Sequence, residues 1–138
     1  MEAREERPGD TDMLKTIMRA VLGIQGALAL FVAANAYLKP EMLSQQLGLT
    51  MNGELGLSTF RGDIGSLFAG AGLFMLAAAI RGNRLYLAPP LLMTSIALAA
   101  RTATAFQVGF LPEFVQPMTV EGVTVLVLLL GYATLGRD

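Results

Sequence analysis

A chain of 138 residues that is 54% hydrophobic and only 15% charged lies far from soluble proteins, in which about a quarter of residues are charged. Lipid or a large partner must cover so much apolar surface. A net charge of −1 offers no basic face to nucleic acid, and the lack of Cys and His removes disulfides, thiolate and imidazole chemistry, and the usual zinc and haem ligand sets. Neither cofactor nor metal is expected.

Residues 1–12, MEAREERPGDTD, read as a polar N-terminal tail. Helix one is predicted over about 13–38 and ends before Lys39-Pro40. Its charge-free run Ala20–Leu38 contains the triplet Ala34-Asn35-Ala36, which has the form of a leader-cleavage site. Five acids in the first twelve residues are foreign to a secretory leader, so helix one is read as a retained span. In the connection Lys39–Thr59, the apolar residues Met42, Leu43, Leu47 and Leu49 suit a short amphipathic helix lying on the membrane interface, with Asn52-Gly53 as a turn.

Helix two is predicted over about 60–80 and is joined by the tight turn Arg81-Gly82-Asn83-Arg84 to helix three, over about 85–106. So short a link makes these two antiparallel neighbours. Pro89-Pro90 fall near the start of helix three, where a missing N–H costs little. Gln107–Met118 is expected as a proline-punctuated loop, and helix four follows over about 119–136. A span needs about 20 mainly apolar residues, and helices three and four reach that length only if Arg101 and Glu121 lie inside them. The expected fold class is all-α: an integral membrane four-helix bundle, one domain over 13–138, with a short interfacial helix between helices one and two.

Orientation follows from the basic residues. Arg4, Arg7, Lys15, Arg19, Arg81, Arg84 and Arg137 flank one side, against Lys39 on the other, so the excess places both termini in the cytoplasm. Arg61, Asp63, Arg101 and Glu121 then fall at the opposite end, from three different helices. The helix dipole favours acids at N-termini and bases at C-termini by about 0.3–1 kcal/mol, and Asp63, Glu121 and Arg101 obey it. Arg61, a cation in the expected first turn of helix two, does not. Glu121, Glu54 or a non-protein anion is its expected partner. Small residues beside these charges suit close helix packing, which points the four inward as a polar cluster, and ionisable groups inside a bundle are binding-site candidates. Gln25, Asn35 and Ser66 are lesser candidates, Gln25 reading foremost as an interhelical hydrogen bond.

The stretches FRGDIGSLFAGAGLFMLAAAIR, LALAARTATAFQVG and TVEGVTVLVLLLG resemble a family of small bacterial four-helix membrane proteins of unassigned function, distantly similar to DoxX-like proteins. The family opens helix two with an arginine and an acid, carries an arginine late in helix three and begins helix four with a glutamate. Arg61, Asp63, Arg101 and Glu121 stand at the matching positions, although the family more often sets its acid just before the arginine. The resemblance implies a four-helix fold with a polar cluster in a bacterial inner membrane, and no activity.

The function expected from these residues is non-enzymatic: binding of a lipid-like or isoprenoid ligand through an anionic head group at Arg61 and Arg101, or service as an accessory subunit of a membrane complex. Membrane lipids and a homo-oligomeric or larger assembly are the expected partners. A small transporter or proton relay is the alternative, weakened by a midplane empty of charge. An intramembrane lipid-modifying enzyme using Asp63, Glu121 and Ser66 lacks a base to activate the serine.

Overall fold

In the computed structural model, residues 8–137 are described. They form α1 (Pro8–Leu38), the short α2 (Pro40–Gln46) and α3 (Gly53–Thr59), a π-helical turn (Phe60–Gly65), α4 (Ser66–Arg81), a 3₁₀ turn (Arg84–Leu87), α5 (Ala88–Val108) and α6 (Pro112–Thr134). Among the described residues no strand forms, and one isolated bridge joins Asn83 to Gly136. The fold is the expected all-α bundle. Four helices are long and apolar enough to cross a membrane: Gly9–Leu38, Gly53–Arg81, Arg84–Val108 and Pro112–Thr134. By length and composition the chain thus has the character of a multi-pass membrane protein.

Three stretches differ from the sequence reading. Residues 1–7 of the expected tail lie outside the described residues, but the rest of it is helical: α1 starts at Pro8 and runs for 31 residues, about 46 Å at 1.5 Å per residue, and outreaches a hydrocarbon core of about 30 Å. The connection after α1 holds two short helices where one was expected, and α3 continues through the π-helical turn into α4. Most of the expected loop Gln107–Met118 is also helical. Pro112 occupies the first turn of α6, where no N–H is needed, and Pro117 lies inside the helix. There it forfeits only the bond to the carbonyl of Glu113, itself in the first turn, which limits the usual cost of an internal proline.

The bundle is organised around α1, which packs most extensively on α4 and also on α6, while α5 packs chiefly on α6. The α1–α4 contact is backbone to backbone. A Cβ placed on Gly26 would stand 2.9 Å from the Gly72 carbonyl oxygen, and one on Gly72 would stand 2.8 Å from the Gly26 oxygen and 2.9 Å from Leu30. Gly131 plays the same part for α6, since a Cβ there would meet Leu87 at 2.9 Å and Leu22 at 3.1 Å. Met18, Leu22, Met75, Ala78, Leu87 and Leu128 fill the core between these helices. A second small core of Ala36, Leu43 and Phe60 holds α2 and the π-helical turn against the far end of α1.

The end that holds the α4–α5 turn is tied by hydrogen bonds. Gly82, at φ 68°, closes α4 in the left-handed conformation that glycine adopts without a Cβ clash. The Arg84 N–H donates to the Gly136 carbonyl at 2.8 Å, and Asn83 Nδ2 donates to the Arg137 carbonyl at 2.8 Å. Arg19, on α1, donates through Nε to the Ala79 carbonyl at 2.6 Å and through Nη2 to the Ile80 carbonyl at 2.7 Å. A cation is thus set on the negative end of α4.

Substitutions at two glycines of α4 separate close packing from helix propensity. Gly72→Ala inserts a methyl group against backbone and should cost about 1–3 kcal/mol, read as a lower midpoint of thermal unfolding in detergent. Gly70, whose Cβ position is open, should tolerate alanine with a neutral or slightly stabilising effect of at most about 1 kcal/mol. Equal effects at both positions would count against the glycine contact.

Candidate functional site

The structure brings together two of the four expected charges. Arg101 on α5 donates to Glu121 on α6 through Nε, at 3.2 Å to Oε1 and 3.1 Å to Oε2, and through Nη2 to Oε1 at 3.0 Å. This forked geometry is the strong form of an arginine–carboxylate pair, and it is the one ion pair among the described residues. The side chains are 37% and 17% exposed respectively, so the pair is shielded on its glutamate side.

Because α6 begins at Pro112, Glu121 stands about two and a half turns inside the helix instead of in its first turn. The helix dipole fades beyond the first turn, so dipole placement does not account for it. Pairing does. An isolated charge at the centre of a transmembrane helix costs about 2.5–3.5 kcal/mol, and the short connection from Val108 to Pro112 brings the two partners to one level.

Arg61 and Asp63 lie elsewhere, in the π-helical turn. Since helix precedes them from Gly53, Arg61 is not in a first turn, and the expected conflict with the dipole of its own helix does not arise. Arg61 serves a different helix. Its Nη2 donates to the carbonyl of Tyr37 at 3.2 Å, in the last turn of α1, and its guanidinium lies 5.9 Å from the centre of the Tyr37 ring. The last turn of α1 has no basic residue of its own, so Arg61 supplies the cation that the negative end of the helix lacks. Arg61 does not pair with Glu121 or Glu54. Asp63 is exposed and has no ion-pair partner among the described residues.

The lesser candidates have local roles. Gln25 Nε2 donates to Thr124 Oγ1 at 2.7 Å and so ties α1 to α6, while its Oε1 is buried without a hydrogen bond. Asn35 Nδ2 donates to the Phe31 carbonyl of its own helix at 2.8 Å. The Ser66 hydroxyl bonds the carbonyl of Gly62 and lies 3.4 Å from that of Asp63. With its proton given to backbone, Ser66 is not arranged as a nucleophile.

Two shallow depressions on the described surface bear on the site. An apolar groove of about 470 Å³ on α5 and α6 is lined by Leu98, Ala99, Thr102, Phe106 and Val125 among others, and neither Arg61 nor Arg101 borders it. A more polar cleft of about 350 Å³ is lined by Tyr37, Glu54, Leu57, Ser58, Arg61 and Gly62. Arg61 Nε is buried without a hydrogen-bond partner among the described residues, as is Arg84 Nε, and π-helical turns such as the one that carries Arg61 are frequent at functional sites. Tyr37 and Ser58 were not among the sequence candidates. The uncapped end of α1, which calls for a cation from another element, was the available signal for Tyr37. For Ser58 there was none. Among the described residues no group of three or more acids could hold a metal ion.

No family model, curated protein or solved structure matches the chain. The likeness of its motifs to small four-helix membrane proteins is therefore supported by no matching family model.

A double-substitution cycle measures what the α5–α6 ion pair contributes. Arg101→Gln and Glu121→Gln should each destabilise the protein by leaving one charge unpaired, and the double variant should lose less than their sum. A coupling of about 1–2 kcal/mol is expected, below the 3–5 kcal/mol of a fully buried pair because Arg101 is partly exposed. Unfolding in detergent is the readout, and strict additivity would contradict the pairing.

Proposed function

We propose that this chain is a non-enzymatic membrane protein of a bacterial inner membrane, with both termini in the cytoplasm. It binds an amphiphile, a lipid or isoprenoid, by an anionic group seated at Arg61. The reading rests foremost on the Arg61 guanidinium. Arg61 lines a polar cleft at the level where α1 ends; its guanidinium makes one hydrogen bond, to the Tyr37 carbonyl, and its Nε has no partner among the described residues, a condition it shares with Arg84 Nε. An unmade hydrogen bond on a shielded charged donor is costly, and a phosphate or carboxylate oxygen is the acceptor to which guanidinium geometry is best matched.

Arg101 is assigned no part in ligand binding, because Glu121 holds its Nε and Nη2 and neutralises its charge. The amphiphile site is thus narrower than the four-charge cluster expected from the sequence.

Native mass spectrometry of the protein extracted in mild detergent tests the assignment. Arg61→Gln should lose most of the lipid adducts that the unaltered protein carries, whereas Arg101→Gln should keep them. Arg61→Lys, which retains the charge, controls for the cap on α1. Adducts that survive Arg61→Gln at full level would contradict the site.

Orientation has its own test, helped by the absence of native cysteine. A membrane-impermeant maleimide should label Asn52→Cys in intact cells and reach Gly9→Cys only after the membrane is opened. The reverse pattern would contradict the orientation.

A further inference from the structure

The polar cleft holds opposite charges that do not neutralise one another. Arg61 and Glu54 both line it, yet no ion pair forms between them. The Glu54 carboxylate and the Ser58 hydroxyl make no hydrogen bond among the described residues, and both residues are exposed. A cation, an anion and a hydroxyl around one small volume are complementary to a ligand that carries both signs.

Resting on the amphiphile reading of this cleft, we infer that its head group is zwitterionic: a phosphate held by Arg61 joined to a primary ammonium held by Glu54. A purely anionic head group would meet Glu54 as a like charge, and like charges at close range oppose binding. A quaternary ammonium fits no better. It has no N–H to donate and is bound through aromatic faces, and Arg61 already lies over the ring of Tyr37. A primary ammonium brings three donors, enough for the Glu54 carboxylate and the Ser58 hydroxyl together. The ligand class is therefore the phosphoethanolamine group of a membrane lipid.

The test uses the full chain in mild detergent, titrated separately with phosphatidylethanolamine, phosphatidylglycerol and phosphatidylcholine of matched acyl chains, with adducts read by native mass spectrometry. Phosphatidylethanolamine should be preferred over the other two by about tenfold, the size of one charge-assisted hydrogen bond. Glu54→Gln should bring phosphatidylethanolamine and phosphatidylglycerol level, with the binding of both still lost in Arg61→Gln. Among the described residues Glu54 forms no ion pair and is exposed, so this variant should fold normally. Equal binding of the three lipids by the unaltered protein, or a preference unchanged in Glu54→Gln, overturns the zwitterionic assignment while dependence on Arg61 keeps the amphiphile site. Lipid binding that is indifferent to Arg61→Gln removes the site itself. Free phosphoethanolamine is added as competitor: displacement of the lipid only at large excess supports a membrane source, and displacement at equal concentration overturns it.

Discussion

The structure depends on the contact between Gly26 and Gly72, where the backbones of two antiparallel helices meet with no side chain between them. In a membrane, lipid tails are as apolar as leucine, so helices associate through close packing and polar contacts more than through the hydrophobic effect. Two glycines at the crossing permit that packing and set the register of α1 on α4. Seven residues separate Gly26 from Arg19 and Gly72 from Ala79, and eleven separate Gly26 from Tyr37 and Gly72 from Arg61. At equal spacing from one contact, each helix therefore sends an arginine onto the last carbonyls of the other. A shift of register would strand both cations.

The same physics sorts the charges into those satisfied by protein and those left open. Arg19 is satisfied by two backbone carbonyls and Arg101 by a carboxylate. At the turn end, Arg81 lies 6.0 Å from the centre of the Tyr86 ring and Arg84 lies 5.1 Å from that of Tyr132. Arginines stacked on tyrosines suit a membrane interface, where such rings have one apolar and one wet side. Arg84 shares with Arg61 a ring contact and a buried Nε without a partner; Arg61 differs in donating to the end of another helix and in lining a polar cleft. That place beside the cleft makes it the centre of the proposed site.

The spans were legible because a charge-free run of apolar residues has few other uses, and the antiparallel turn at Arg81–Arg84 was legible from its length. The start of α6 was hidden because two prolines suggest a loop, although Pro112 merely opens the helix and Pro117 costs it one bond near its start. Arg101 and Glu121 were expected in one polar cluster, but Glu121 was offered to Arg61, and only the structure pairs it with Arg101. The position of Arg61 was read in the frame of a helix beginning at Phe60. Once α3 and the π-helical turn extend that helix back to Gly53, its partner becomes a backbone carbonyl 24 residues earlier, a kind of acceptor that side-chain spacing does not reveal. Glycine patterns were ambiguous in the same way: Gly70 and Gly72 look alike in sequence, and only the neighbouring helix decides that one is crowded and the other open.

The most direct measurement of the α1–α4 register is a disulfide across it. A Cβ on Gly23 would lie 3.8 Å from the Cβ of Ala79, the mean separation in native disulfides, and the chain has no cysteine to interfere. Gly23→Cys with Ala79→Cys should oxidise rapidly and completely within single molecules in native membranes, while Gly23→Cys with Gly70→Cys should not. Failure of the first pair to close, or equally fast closure of the second, would contradict the register on which the two arginine caps and the proposed cleft rest.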